Sequence, residues 1–262
     1  MTIFKAELRR GCKGFLIWSA AIAFMLVICV LMFPEIKGEM DSVSEMFANM
    51  GGFTQAFGMD RLNFGTFIGF YGVECGNILG IGGGLFAAYL GIRMLAKEEH
   101  EHTAEFLLTH PVTRLSVVLQ KLLAMVVEIL VMNLVVLIFS VVSVIIIGEE
   151  LPVKELLLLH GAYIILQMEI GILCFGISGF LRRGNIGIGL GLAAILYFMN
   201  ILCNISAKGK LLRYITPFAY AEPADIVEAM ALDWQLVLLG CVYASALGAA
   251  GVIRYIKKDI TA

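Results

Sequence analysis

Apolar residues in this chain gather into long unbroken runs separated by short polar stretches. A helix needs roughly 20 such residues to cross a hydrocarbon core about 30 Å thick. Six stretches meet that length, at about 14–33, 67–92, 116–147, 156–181, 185–203 and 236–253. The pattern predicts an all-α integral membrane protein, a single domain over 1–262 with six transmembrane helices. The third run is long enough to tilt or to extend past the membrane. The fifth carries Gly184, Gly187, Gly189 and Gly191, which suits close helix–helix approach in lipid. Two connections are long. Residues 34–66 hold Met40, Val43, Met46, Phe47, Met50, Phe53 and Phe57 at near-helical spacing, a stripe suited to the outer membrane surface. Residues 204–235 repeat Ile226, Met230 and Trp234 at four-residue steps. Both are read as lids over the span ends. No internal repeat stands out, so the inverted-repeat pattern of many secondary transporters is missing.

Basic residues set the direction. With the N-terminus inside, the inner segments hold Lys5, Arg9, Arg10, Lys13, Arg93, Lys97, Arg114, Lys121, Arg182, Arg183, Arg254, Lys257 and Lys258, thirteen of the nineteen Lys and Arg. Both termini are therefore expected in the cytoplasm. The fifth connection, with Lys208, Lys210 and Arg213 outside, runs against the trend.

Composition agrees: 60% of the residues are apolar and 15% charged, with a mean hydropathy of +0.91. Soluble domains are nearer a quarter charged, so a cytosolic enzyme, a nucleic-acid binder and a disordered tail are set aside. A net charge of −2 gives no polyanion-binding signal. Cys12, Cys29, Cys75, Cys174, Cys203 and Cys241 are scattered with no metal-ligand spacing and read as small buried apolar groups. The basic N-terminus precedes an apolar run too long for a cleavable signal peptide.

The polar stretch between the second and third runs, 93–121, is the most informative. A dense charged cluster, Lys97–His102, leads into a short amphipathic piece, Thr103–Thr109. Pro111 ends that piece by disfavouring helix in the residue before it, and Thr113 is placed to cap the third span. Membrane spanning does not explain such an element; a docking surface for a cytosolic partner does. His100, His102 and His110 with Glu98, Glu99, Glu101 and Glu105 make a poor metal site, since neighbours two apart on a helix face different ways.

Within the spans, Glu74, Asn77, Glu128, Gln167 and Glu169 are out of place in lipid. An acid at mid-membrane costs about 2.5–3.5 kcal/mol on insertion scales and marks a functional site by default. Glu74, Asn77 and Glu169 are the candidate translocation-path residues; the alternative is that each is neutral or hydrogen-bonded and only holds the bundle together. Catalytic signatures fail: Asn204 stands where a phosphate-binding loop ending in Gly209-Lys210 needs its first Gly. The zincin and nucleophile-elbow motifs are absent.

The run Glu98 through Glu105, Leu107, Leu108, Pro111, Val112, Arg114 and Lys121 resembles the signature of ABC-2 type transporter permeases. Thr216-Pro217-Phe218, Glu222–Ile226, Asn63–Gly69 and the C-terminal Arg254–Ile260 agree with it. One departure is His102, where the family has Gly before the Thr. The resemblance implies a coupling helix on the inner face, made here by Glu98, Glu99, Thr103, Glu105, Phe106, Leu107, Leu108, Pro111 and Arg114, whose acidic patch would meet basic residues of an ATPase. It also implies a non-catalytic subunit of the bacterial cell membrane that holds no cofactor, with ATP and Mg bound by cytosolic ABC ATPase subunits. A second copy or a related permease would pair with it through spans two and five. The cargo is expected to be hydrophobic or amphipathic, a peptide antibiotic or a lipid, and exported. Two rivals remain from the residues themselves: a secondary transporter or channel using Glu74 and Glu169, and a membrane anchor or sensor that recruits an ATPase.

Overall fold

The computed structural model describes residues 2–39, 50–97, 112–181 and 185–258. Among them every regular element is helical, and six helices are long and apolar enough to cross a membrane: Thr2–Gly38, Phe67–Met94, Arg114–Ile147, Val153–Ser178, Ile186–Ile205 and Trp234–Lys257. These are the first to sixth spans. Polar side chains mark where they begin. Thr66 Oγ1 accepts from the Gly69 amide, Thr113 Oγ1 from Ser116 as expected, Asn185 Oδ1 from Gly187, and Asp233 Oδ1 from Gln235 and Leu236.

The first span departs from expectation. It is one helix of 37 residues, of which the predicted 14–33 is only the middle. Residues 2–13 are rich in Lys, Arg, Glu and Leu, which are good helix formers, so the helix crosses from water into lipid without a break; hydropathy registers only the lipid part. At its other end it runs through Pro34, forgoing one backbone hydrogen bond, and stops at Gly38. Of the predicted surface stripe in 34–66, Met40, Val43, Met46 and Phe47 lie outside the described residues. Gly52–Ala56 forms a single helical turn, with the Phe53 and Phe57 rings 4.9 Å apart.

The fourth span is the hub, packed against the second, third and sixth; the first lies along the third and the fifth along the second. At mid-span 67% of the second and 61% of the fourth is buried, against 22% of the fifth and 28% of the first. The peripheral spans therefore turn apolar side chains outward, including Phe24, Leu134, Phe198 and Val242, as a hydrocarbon solvent allows. The expected pairing surface of spans two and five is thus split: the second is enclosed by its own chain, while the fifth keeps an open face.

The second span is not a regular α-helix. Between Gly76 and Gly82 it widens into a π-helical segment, whose backbone bonds run one residue further along the chain than in an α-helix. Gln167 Nε2 donates to the Leu79 carbonyl at 3.3 Å, and Asn133 Nδ2 donates to Gln167 Oε1 at 2.5 Å. One chain of amides thereby ties the second, fourth and third spans at their centre. Gly83 makes the room, because a side chain there would collide with the Gln167 amide. Lower down, Gly176 and Gly251 meet backbone to backbone where the fourth and sixth spans cross.

Within 204–235, residues 216–226 do not lie on the surface as a lid would. The helix Pro223–Ala229 ends before Met230, which adopts a left-handed φ of 51°, and Trp234 already belongs to the sixth span. Ile226, Met230 and Trp234 therefore do not share one helix face. Instead 216–226 dips between the spans. Phe218, Tyr220, Ala221, Pro223 and Ile226 are buried; the Phe218 ring lies against the Gly84 position, past the middle of the second span, and Pro223 against Gly72 and Gly76. Pro217 and Pro223 each open a new short turn, so the segment cannot form one long helix. Irregular backbone is tolerated at this depth because protein encloses it, and Thr216 Oγ1 donates to the Leu196 carbonyl at 2.7 Å.

Replacing the central amide tests the packing. Gln167→Leu removes the amide bonds that cross from the fourth span to the second and third, although the Leu79 carbonyl keeps the Gly83 amide and Asn133 keeps the Ile129 carbonyl, and is expected to destabilise the bundle by about 1 kcal/mol. Thermal unfolding in detergent should show a lower midpoint, and Gly83→Val a lower one still. A Gln167→Leu protein as stable as the wild type would show that the amides do not hold the spans.

Candidate functional site

Both ends of the described chain lie at the same end of the bundle, where 2–13, 93–97, 114–121, 178–181 and 254–258 converge. Glu7 is the centre of this end. Its carboxylate lies 3.3 Å from Lys97 Nζ and 3.5 Å from Lys121 Nζ, and Lys121 also donates to the Met94 carbonyl at 2.5 Å. Lys121 is fully buried and Glu7 nearly so; charges so placed persist only when paired and hydrogen-bonded. On the other flank, Arg114 Nη1 donates to the carbonyls of Lys258 at 2.6 Å and Ile256 at 3.0 Å, closing the C-terminus of the sixth span. Lys258 Nζ in turn donates to the Leu181 carbonyl just past the fourth.

Of the predicted docking residues, Glu98, Glu99, Thr103, Glu105, Phe106, Leu107, Leu108 and Pro111 lie outside the described residues. Arg114 lies within them. Lys97 and Arg114 flank the segment, and both are tied into the bundle. Sequence reasoning missed Glu7, although a signal existed: it is the only acid before Glu35, set among four basic residues.

The three candidate path residues are not brought together. Glu74 on the second span accepts from Cys29 Sγ of the first at 3.6 Å. Asn77, one turn on, accepts from Tyr197 of the fifth span at 3.0 Å. Glu169 is wedged between the fourth and sixth spans, where Cys241 Sγ donates to it at 3.5 Å and Gly240 leaves room for its carboxyl. The Tyr220 hydroxyl of the inserted segment faces the same carboxyl.

The opposite end holds a polar cavity of about 490 Å³ lined by Arg61, Asn200, Asn204, Lys210, Arg213 and Glu222 among others. Arg61 bridges Asp225 at 2.7 Å and Glu228 at 2.9 Å, and Arg213 reaches Asp233 at 3.2 Å and Asp225 at 3.6 Å. These pairs are half exposed, worth about 0–1 kcal/mol each, but they join three separate segments. Beneath them Glu222 is buried and accepts from Asn200 at 3.0 Å and Asn204 at 3.1 Å. Burial pushes the Glu222 carboxyl above the ordinary carboxylate range against the pull of those two amides, and Asp225 adds to the rise. The Glu-Pro step at 222–223 pointed to this region in the sequence, but nothing there marked the carboxyl as enclosed. Among the described residues no group of three or more His, Cys, Asp and Glu is placed to hold a metal ion.

A family model described as ABC-2 family transporter protein matches residues 1–260. No curated protein and no solved structure matches the chain.

The Glu222 environment has a definite pH consequence. A raised carboxyl pKa stabilises the fold fully at pH below the ordinary carboxylate range, and that contribution is lost as pH rises through the elevated value. Glu222→Gln keeps the hydrogen-bonding shape without the charge. Thermal unfolding from about pH 4 to about pH 9 is expected to show wild type and variant alike in acid and the variant the more stable in alkali. A variant less stable at the alkaline end would reverse this assignment.

Proposed function

The chain belongs to the ABC-2 family of transporter proteins, and from that premise we propose that it is the permease subunit of an ABC exporter whose power is supplied in trans. In this reading the end that gathers Glu7, Lys97, Lys121 and Arg114 faces the cytoplasm, in keeping with the excess of Lys and Arg there. ATPase subunits dock on the segment 98–111 and bind the ATP and Mg. A second permease copy, or a related chain, completes the path in the bacterial cell membrane. The cargo is hydrophobic or amphipathic, a peptide antibiotic or a lipid.

The observation that carries the reading is the double anchorage of the docking segment. Upstream, Lys97 is held to the first and third spans through Glu7 and Lys121; downstream, Arg114 is held to the end of the sixth. A push on a segment fastened at both flanks moves whole helices, because buried ion pairs and closed helix ends do not yield separately. The two states of the transporter then differ by rigid-body displacement of spans. The secondary-transporter alternative draws less support: Glu74 and Glu169 contact different helices, and an ion site would bring them together.

The test is purification with the native partners followed by reconstitution in vesicles. An ATPase should co-elute, and transport should require ATP and survive collapse of the ion gradients. Arg114→Glu and Glu105→Lys are each expected to weaken ATPase retention about tenfold, near 1.4 kcal/mol. Lys97→Gln is expected to leave the ATPase bound while lowering transport per ATP hydrolysed. If no ATPase co-elutes, or if neither charge reversal alters binding or transport, the reading fails.

A further inference from the structure

A second cavity, of about 260 Å³, lies at the end that holds Glu7, between the first and second spans with the third as its floor. Its charges are arranged in two groups. Arg10, Lys13 and Arg93 line it, and none forms a contact ion pair with a carboxylate among the described residues. The Arg93 guanidinium lies 4.8 Å from the centre of the Tyr89 ring and donates to the Tyr89 hydroxyl, which fixes its position. The floor is Glu128, only 5% exposed. Its carboxyl faces Gly11, where a side chain would collide with Oε1, and its other oxygen, Oε2, is buried with no hydrogen-bond partner. Glu7, the other acid of the lining, already engages Lys97 and Lys121.

A buried carboxyl oxygen without a donor is costly, and three cations gathered beside it repel one another. A ligand that carries both a phosphate and a primary ammonium answers both conditions. The phosphate takes the arginines and lysine, with the charge-assisted geometry such groups favour; the ammonium donates to Glu128. The surroundings are those of a lipid. The next turns of the first span expose Leu16 and Ile17, and Trp18 packs on Tyr89 with ring centres 6.3 Å apart. An interfacial aromatic pair beside an apolar strip suits the glycerol and upper acyl region. Basic pockets between spans are also where lipid head groups bind.

We propose that this cavity is a binding site for the head group of an aminophospholipid of the phosphatidylethanolamine type, with Arg10, Lys13 and Arg93 on the phosphate and Glu128 on the ammonium. The site requires only that the bundle lie in a membrane and does not depend on an ATPase partner.

Native mass spectrometry of the purified full chain, titrated separately with phosphatidylethanolamine, phosphatidylcholine and phosphatidylglycerol, tests the proposal. Phosphatidylethanolamine should bind about tenfold more tightly than phosphatidylcholine, whose quaternary nitrogen has no N–H to donate, and more tightly than phosphatidylglycerol. Glu128→Gln should bring phosphatidylethanolamine and phosphatidylcholine within about twofold of each other. Lys13→Gln, at an exposed position that leaves the fold intact, should weaken all three lipids, and millimolar inorganic phosphate should displace none. Equal binding of the three lipids, a preference untouched by Glu128→Gln, or displacement by inorganic phosphate would each overturn the assignment, the last by showing a site for a free anion. If Glu128→Gln does not fold, Lys13→Gln and the comparison of wild-type affinities still decide. No readout uses ATP, so failure here leaves the proposed transport function standing, and the reverse holds as well.

Discussion

Hydrocarbon offers no partner to a buried side-chain amide, and the architecture of this bundle follows from how those of Gln167 and Asn133 are satisfied. Beside the π-helical widening at Gly76–Gly82, the Leu79 oxygen accepts from Gln167 in addition to the Gly83 amide. Gln167 stands opposite it and in turn accepts from Asn133. That fixes the relative height and rotation of three helices. It also places the fourth span at the centre, since Gln167 is the middle member of the chain. The widened turn presents Gly76 and Gly72 to Pro223, so the inserted segment 216–226 seats against the same irregularity.

The two ends of the bundle are held by different physics. At the Glu7 end, charges are buried and bonded to helix termini: Lys121 to the Met94 carbonyl, Arg114 to the last carbonyls of the sixth span, Lys258 to Leu181. Removing any partner leaves a charge in a poor solvent, so the end resists piecemeal change. At the other end the pairs of Arg61 and Arg213 are half exposed, individually weak and open to exchange with water. A stiff end beside the proposed docking segment and a softer end across the bundle is the arrangement a lever needs. Force enters where the structure transmits it, and rearrangement is cheapest at the far side.

Much of this was legible in the sequence, and the illegible parts share a cause. Six spans followed from the length of apolar runs, and the Thr113 cap from the Pro-Val-Thr step before the third. What escaped was whatever depends on a partner distant in the chain. The helical start of the first span was hidden because charged helix formers resemble a loop to a hydropathy count. Segment 204–235 read as a surface stripe because Ile226, Met230 and Trp234 are spaced like one; the left-handed Met230 and the depth of Phe218 are set by contacts, not by spacing. Glu7 became significant only once Lys97 and Lys121, 90 and 114 residues away, were seen beside it. Glu74, Asn77 and Glu169 were visible as polar residues in lipid, but their separate neighbours were not.

Those separate neighbours bear on where a transport route lies. At mid-depth the second and fourth spans are packed through Leu79, Phe86, Leu166 and Ile170, all buried, and Gln167 and Asn133 among them hydrogen-bond across helices. The polar cavities of about 490 and 260 Å³ lie at opposite ends. A route through the interior of one such chain would have to break the Gln167 amides and expel the inserted segment, undoing the contacts that define the fold. A route along the outside needs only the open apolar faces of the peripheral spans, of which the fifth is the least covered. Under the proposed function, the path therefore runs between two membrane subunits, and each chain serves as a rigid wall that tilts as one body.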